Sequence, residues 1–349
     1  MTSTQIENKK EYKNNKDQMT FFSEDEFGEL AELSDNDIDD RGKNLKFPEF
    51  DDITVSTKTF IVNTSTILDI DKLFNTLPIT EYIVVPKRRG RKKKNEKVDP
   101  NKDIASGCII TLKYLDKLRG VDLKKKKINP DKKKRGSYFR NSVTVVMIID
   151  GKKINFKVSR NGKFQMTGCK FDEQAERCVK FVWNYIQDKE GIYTLNEKHK
   201  MDIIFIPAMR NIDFGLGFLV DREKLDEYFN IYTDFHSLLE TSFGYTGVNI
   251  KIPVTDSILD LKLKKFTYDV ATNTWSSLQK VGYETYLNTL SDKDRNKKLT
   301  QKRYNTFLVF HSGKIIMSGL HRDFQAPVYY KFLDIIRECY NHIEERLDS

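Results

Sequence analysis

The chain repeats itself. Residues 156–175 read FKVSRNGKFQMTGCKFDEQA and residues 307–326 read FLVFHSGKIIMSGLHRDFQA, at a constant offset of 151. The segments coincide at Phe156/Phe307, Val158/Val309, Gly162/Gly313, Lys163/Lys314, Met166/Met317, Gly168/Gly319, Gln174/Gln325 and Ala175/Ala326, with Thr167/Ser318 a conservative pair. Chance supplies about one or two matches over such a stretch, so this is an internal repeat, and it constrains the fold more than any local pattern can. A second echo, LDIDKL at 68–73 against VDREKL at 220–225, lies at offset 152. Two half-domains of nearly equal length are therefore expected to follow one another.

Each half carries the same order of elements. ITVSTKTFIV (53–62) alternates apolar and polar residues as a half-buried strand does, and ILDIDKLFNTL (67–77) reads as a short helix stopped by Pro78. Segment 106–120 is apolar, and 142–149, 154–159 and 164–168 form a three-stranded meander. Asn161-Gly162 signals a type I′ hairpin turn, whose two central residues both need positive φ. A helix starts at Asp172 and buries Ala175, Cys178, Val179, Val182, Trp183 and Ile186 at helical spacing, with Asp172 and Glu173 at the favourable end of its dipole. In the second half, 201–209 is the first strand and 221–232 the helix, with further strands at 248–254, 306–310 and 314–319. A last helix is expected to begin near Pro327, a good first helical residue, and to bury Val328, Phe332, Ile335, Ile336, Cys339 and Ile343. Residues 255–303 interrupt this half between its second and third strands.

Charge is segregated. Residues 1–50 carry 7 Lys/Arg against 13 Asp/Glu, which leaves +15 on the rest of a chain whose net charge is +9. A basic body with an acidic arm is the pattern of a polyanion binder. Residues 1–48 should be disordered, and within them 23–40 interleaves nine acidic residues with Phe27, Leu30, Leu33 and Ile38, as interaction tails do. Two basic runs, 86–97 and 124–135, lie inside the first half. Four scattered cysteines without a CxxC and five histidines without ligand spacing point to a reducing compartment and no structural metal. No signal-peptide pattern and no long apolar run appears, so an intracellular location is expected: the nucleus for a cellular protein, the host cytoplasmic factory and the virion for a viral one. Walker, HExxH, GxSxG and paired-carboxylate signatures are absent, so neither an enzyme nor a cofactor is expected.

The residues that close each half carry a family resemblance. FLVFHSGKIIMSG (307–319) and VSRNGKFQMTGCK (158–170) resemble the fingerprint of the TATA-box-binding protein family, in which an apolar strand ending in Phe, SGK, an apolar triplet and TGAK precede a long helix. FGYTGVNIKI (243–252) and INPDKKKRGSYF (128–139) resemble two further segments of that family. Divergent, Lys- and Asn-rich versions of this kind resemble those of large DNA viruses. The resemblance implies an α+β fold of two tandem pseudo-symmetric repeats. Each would be a curved antiparallel sheet with helices on its convex face, the two forming one saddle. Its boundaries fall at 52–187, with a basic insertion at 78–137, and at 201–343, with the insertion at 255–303. The asparagine that family members place in each first strand is not found in register; Ile53 and about Asp202–Phe205 stand there.

Strand parity then divides core from surface. Phe156/Phe307, Val158/Val309 and Met166/Met317 share one parity and read as core. The opposite parity places Lys163, Gln165 and Thr167 with Lys157 and Ser159 in the first half, and Lys314, Ile316 and Ser318 with Leu308 and Phe310 in the second. The resemblance implies that this second set, with Lys251, faces the minor groove of AT-rich double-stranded DNA. Minor-groove selection there works through shape and deformability, and aromatic wedges lever base steps apart. Phe310 is the first candidate wedge, Tyr245 or Phe243 its companion, and Tyr138 or Phe139 the candidates in the first half. Lys163 and Lys314 would approach phosphate. Arg89 and Arg91 flank Gly90 in a weak likeness of an AT-hook. By the same resemblance the partners are a transcription-factor-IIB-like protein and RNA polymerase, and the activity is nucleation of preinitiation. The alternative is a fold of this type repurposed as a non-specific architectural or packaging DNA binder.

Overall fold

The computed structural model describes residues 42, 44–85, 100–123, 140–195, 199–240 and 247–345. The chain is α+β. Its first strand, β1 (Val55–Thr64), is followed by the short β2 (Thr66–Leu68) and by α1 (Ile70–Thr76). The Asp69 carboxylate accepts from the Lys72 N–H and caps α1, and the helix ends two residues before Pro78. Next come β3 (Ile109–Tyr114), β4 (Lys117–Gly120), β5 (Ser142–Ile149), β6 (Lys152–Ser159) and β7 (Lys163–Cys169), then α2 (Asp172–Ile186). After β8 (Tyr193–Leu195), which pairs with β2, the long β9 (Lys200–Gly215) leads to α3 (Arg222–Tyr232), β10 (His236–Glu240) and β11 (Gly247–Pro253). The insertion contributes β12 (Lys262–Asp269), β13 (Thr274–Trp275), β14 (Gln279–Gly282), α4 (Tyr283–Leu287) and α5 (Asp292–Thr300). The chain then forms β15 (Tyr304–Phe310), β16 (Lys314–Gly319), α6 (Arg322–Glu338) and α7 (Tyr340–Ile343).

The main sheet is ordered β10-β11-β15-β16-β9-β1-β7-β6-β5-β3-β4. Outward from the central antiparallel pair, β1 is followed by β7, β6 and β5, and β9 by β16, β15 and β11. Segments related by the sequence offset thus occupy corresponding places in the sheet. One face is covered by helices. Phe156, Val158, Phe164 and Met166 share a core with Leu73, Val179, Val182 and Trp183 from α1 and α2. Phe307, Val309, Ile315 and Met317 share another with Leu225, Phe229, Phe332 and Ile336 from α3 and α6. The Phe307 and Phe332 rings stack with centroids 4.0 Å apart. Each such buried side chain stabilises by roughly 1.5–3 kcal/mol, so alternation along these strands fixes which face meets the helices.

The start of each long helix is tied to a central strand. Lys58 Nζ on β1 donates to Asp172 Oδ1 at 2.6 Å, and Arg210 on β9 donates to Gln325 Oε1 at 2.9 Å. Asp172 and Asp323 stand at the same offset as the rest of the repeat, and α6 begins beside Asp323, not near Pro327. The His321 ring accepts from the Asp323 N–H as its cap, and Pro327 lies inside the helix, where it removes a single backbone bond near the N-terminal end.

The hairpins also differ from expectation. Gly162 is left-handed (φ +66°) but Asn161 is not, and the Gly162 N–H donates to the Ser159 carbonyl. This is the three-residue loop with one left-handed glycine, and Phe310 to Gly313 repeats it with φ +73° at Gly313. A Cβ at Gly162 would strike Thr64 Oγ1, and one at Gly313 the Phe218 carbonyl oxygen, so both positions demand glycine twice over. The two-residue turn with positive φ at both residues sits instead at Asp150-Gly151, between β5 and β6.

Residues 47 and 48, expected within a disordered arm, pack against α6. Arg337 lies over the Phe47 ring at 5.2 Å, Tyr329 Oη donates to the Pro48 carbonyl at 2.6 Å, and Phe50 is fully buried against Tyr329. The acidic segment 23–40 and the basic stretch 86–97 lie outside the described residues. Among those described, no helix is long and apolar enough to cross a membrane.

Candidate nucleic-acid interface

The face of the sheet opposite α2 and α6 holds the residues singled out by parity. Cross-strand register sets them in rows. Lys251, Thr306, Ser318, Asn211 and Thr57 stand opposite one another in turn across β11, β15, β16, β9 and β1. The neighbouring row runs Asn249, Leu308, Ile316, Asp213. On the other half, Lys157, Gln165 and Ile61 form one row, Lys163 stands opposite Asn63, and Asn155 opposite Thr167. Leu308, Phe310, Ile316, Ser318, Lys251 and Lys163 are half-buried, while Lys314, Gln165 and Thr167 are exposed. The side-chain hydroxyls are largely engaged locally: Thr167 Oγ1 donates to the Asn155 carbonyl (3.2 Å) and Ser159 Oγ to Asn161 Oδ1 (2.7 Å).

The two halves present different chemistry. The second offers Leu308 and Ile316 as an apolar centre with the Phe310 ring beside it. The first offers Lys157, Gln165 and Lys163 in equivalent rows. Phe310 borders a cleft with Asp213, His311, Lys314 and Ile316. Asp213, a carboxylate on this face, accepts from Ser56 Oγ at 3.3 Å. The other candidates of the sequence, Phe243, Tyr245, Tyr138, Phe139, Arg89 and Arg91, lie outside the described residues.

The first strand of the second half was misplaced by sequence reasoning. Its apolar run 201–209 suggested an end at Met209, but β9 continues to Gly215. The pairing of β16 with β9 occupies Arg210–Gly215, as that of β7 with β1 occupies Lys58–Asn63. This continuation brings Asn211 between Thr57 and Ser318, and its Oδ1 is buried with no hydrogen-bond partner among the described residues. The offset of 152, applied to β1, would have found it.

The insertion is the larger surprise. Its strand β12 pairs with the N-terminal half of β9. Beyond it, Leu263, Tyr283, Tyr286 and Leu287 build a third core with Ile204 and Ile206 and with Phe324 at the start of α6, and Ile61 packs alongside. The tie reaches the other half: Asn63 Nδ2 donates to Thr289 Oγ1 at 3.1 Å. A cleft between insertion and sheet is lined by Ile61, Met209, Tyr283, Lys298, Arg303, Thr306 and Ser318. Arg303 donates to the carbonyls of Lys298 (2.7 Å) and Gln301 (3.0 Å). Burial, followed by the charges of Arg303, Lys163 and Lys297, holds the Lys298 ammonium below the usual lysine range.

No family model matches the chain. It is 24% identical over 302 residues to the uncharacterised protein 335L of Invertebrate iridescent virus 6, covering 84% of this chain and 86% of that one. It is 28% identical over 199 residues to a TATA-box-binding protein-like protein of Acanthamoeba polyphaga mimivirus, covering 54% of this chain and about half (48%) of the relative. Among solved structures, Methanococcus jannaschii TBP aligns with a TM-score of 0.40 at 13% identity, over 83% of this chain and 99% of that one. The chain resembles TATA-box-binding-like proteins, and both sequence relatives are viral.

Proposed function

We propose that this protein binds AT-rich double-stranded DNA through the minor groove, bends it, and so nucleates transcription initiation, as a TATA-box-binding-like factor. The observation that carries the reading is the row structure of one sheet face. An apolar centre of Leu308 and Ile316 lies beside the Phe310 ring, Thr57, Asn211 and Ser318 line the middle together with the Asp213 carboxylate, and lysines stand at the margins. Such a face suits a groove that offers acceptors with little pattern and lacks a protruding guanine amino group. Phe310 wedges a base step, Asn211 Nδ2 donates to the acceptors of the base edges, and Lys163, Lys251 and Lys314 hold phosphate. The mirrored strand order supports two half-domains acting on a pseudo-twofold duplex, and the mimivirus relative's name supports the same assignment. A transcription-factor-IIB-like protein and RNA polymerase are the partners this role implies.

The test is competition between AT-rich and GC-rich duplexes at fixed salt, read together with the bend angle by energy transfer. AT-rich DNA should compete better and should bend, and Phe310→Ala should lose more of the bend than Gln165→Ala. Equal competition by the two duplexes without bending favours the architectural alternative and refutes promoter choice.

A further inference from the structure

The insertion is not a passive appendage. The geometry points to α5 and the residues after it as a basic wall that grips the sugar-phosphate backbone of one strand of duplex DNA lying on the sheet face. This rests on the proposed function, because it needs DNA on that face. Residues 291–303 hold six basic side chains and two acidic ones. Both acids, Asp292 and Asp294, lie in the first turn of α5, while Lys297 and Lys298 lie in its last turn, with Lys302 and Arg303 following. That order satisfies the helix dipole, which explains the two lysines in the last turn but not the continuation of charge beyond it.

Three observations direct this charge at a ligand on the sheet. Lys298, Lys302 and Arg303 line the cleft whose other side is the sheet face itself, at Ile61, Thr306 and Ser318. The third core and the bond from Asn63 to Thr289 hold the segment there, across the central strands. Among the described residues, no carboxylate pairs with Lys163, Lys297, Lys298, Lys302 or Arg303, whereas Lys58, Lys113, Lys264 and Lys265 each have a carboxylate partner. Lys163 comes from the other half and stands opposite Asn63, whose amide bonds Thr289 just before α5, so cations from both halves converge on one margin of the face. Assembling like charges is unfavourable in the free protein, and a polyanion relieves it. A duplex backbone, with its regular phosphates, fits a line of cations beside a shallow apolar floor.

The experiment compares salt dependence of binding to one AT-rich duplex by four full-length proteins: the parent, Lys297→Gln/Lys298→Gln/Lys302→Gln, the control Lys262→Gln/Lys280→Gln, and Ile316→Glu. The triple variant should lower the slope of log affinity against log salt by about two to three, close to 0.9 for each lost phosphate contact, and keep its AT preference. The control should change the slope by much less, and Ile316→Glu should abolish selective binding. Loss through Ile316→Glu with an unchanged slope in the triple variant overturns the wall alone. Normal binding by Ile316→Glu overturns the reading that DNA lies on this face, and the wall with it. An equal effect of the control assigns the slope to bulk charge and also overturns the wall. Should the triple variant fail to fold, reductive methylation of the parent reads the same contacts: DNA must protect Lys297, Lys298 and Lys302 and leave Lys262 and Lys280 reactive.

Discussion

Replacing Tyr286 with alanine should release the insertion from the sheet without unfolding the protein. Tyr286 is 4% exposed and packs edge-on to Tyr283 with centroids 5.5 Å apart. Burial pushes its hydroxyl up to about 12. Its core partners are Ile204, Ile206, Ile258 and Leu287, a cluster separate from the two cores beneath the helices. Deleting a buried aromatic ring costs about 3–5 kcal/mol. Because α4, which leads directly into α5, is held to the sheet by this cluster, that cost falls on local opening and not on global unfolding. At about 1.4 kcal/mol per decade, amide exchange in residues 283–303 should accelerate by a factor of about a hundred or more. Hydrogen-exchange mass spectrometry reads this directly, with peptides from α2 and α3 as internal references. Uniform acceleration across all peptides would show that the third core is continuous with the others, and unchanged exchange at 283–303 would show that it does not hold the insertion.

Two further predictions concern the central helix termini. Burial alone would raise the Asp172 carboxyl, but its bonds to Lys58 (2.6 Å) and Lys264 (3.2 Å) hold it below the usual range, so its stabilisation is present above about pH 4 and lost as pH falls through the lower native value. Asp172→Asn should cost about 1–2 kcal/mol in denaturant melts at pH 7 and nearly nothing at pH 3; an equal cost at both would exclude charge as the cause. Burial holds the His321 imidazole below its ordinary value despite Asp323 and Asp172, while Lys58 and Arg210 reinforce the effect. The neutral ring stabilises the fold above about pH 6.5, and that contribution falls away as pH drops through the native value. His321→Asn keeps a capping acceptor, so its melting temperature should fall less than the parent's between pH 7 and 5. Parallel pH profiles would contradict this.

The sequence made the sheet faces legible because a repeat doubles the evidence. Phe156 and Phe307, or Met166 and Met317, are informative as pairs at one parity, and all four are buried under helices. Local rules did worse where tertiary context overrode them. Pro327 suggested a helix start, yet Asp323, the counterpart of Asp172, marks it better. Asn-Gly suggested a two-residue turn, but the loop takes three residues because only Gly162 must be left-handed. Composition could not expose the third core, since Tyr283 and Tyr286 lie in a segment with no repeat partner and no strong periodicity. Asn211 was missed because polar residues at 210–211 resembled a strand end, although the pairing of β9 with β16 continues through them.

Phe50 and Ile53 precede β1, the first strand of the first half, yet both side chains are buried in the core of the second. Tyr329 and Arg322 on α6 fasten the same stretch through the Pro48 carbonyl and Asp51. The two halves are thus interlocked like clasped hands, each finishing its interior with chain that enters from beyond its own borders. Cutting the gene at the repeat boundary would not yield two autonomous modules. A fragment beginning at residue 201 would lack the plug for its own interior, and one beginning at 54 would keep every strand of its sheet while leaving a hole in its neighbour. The duplication visible in the sequence has become, in the folded protein, a single indivisible unit.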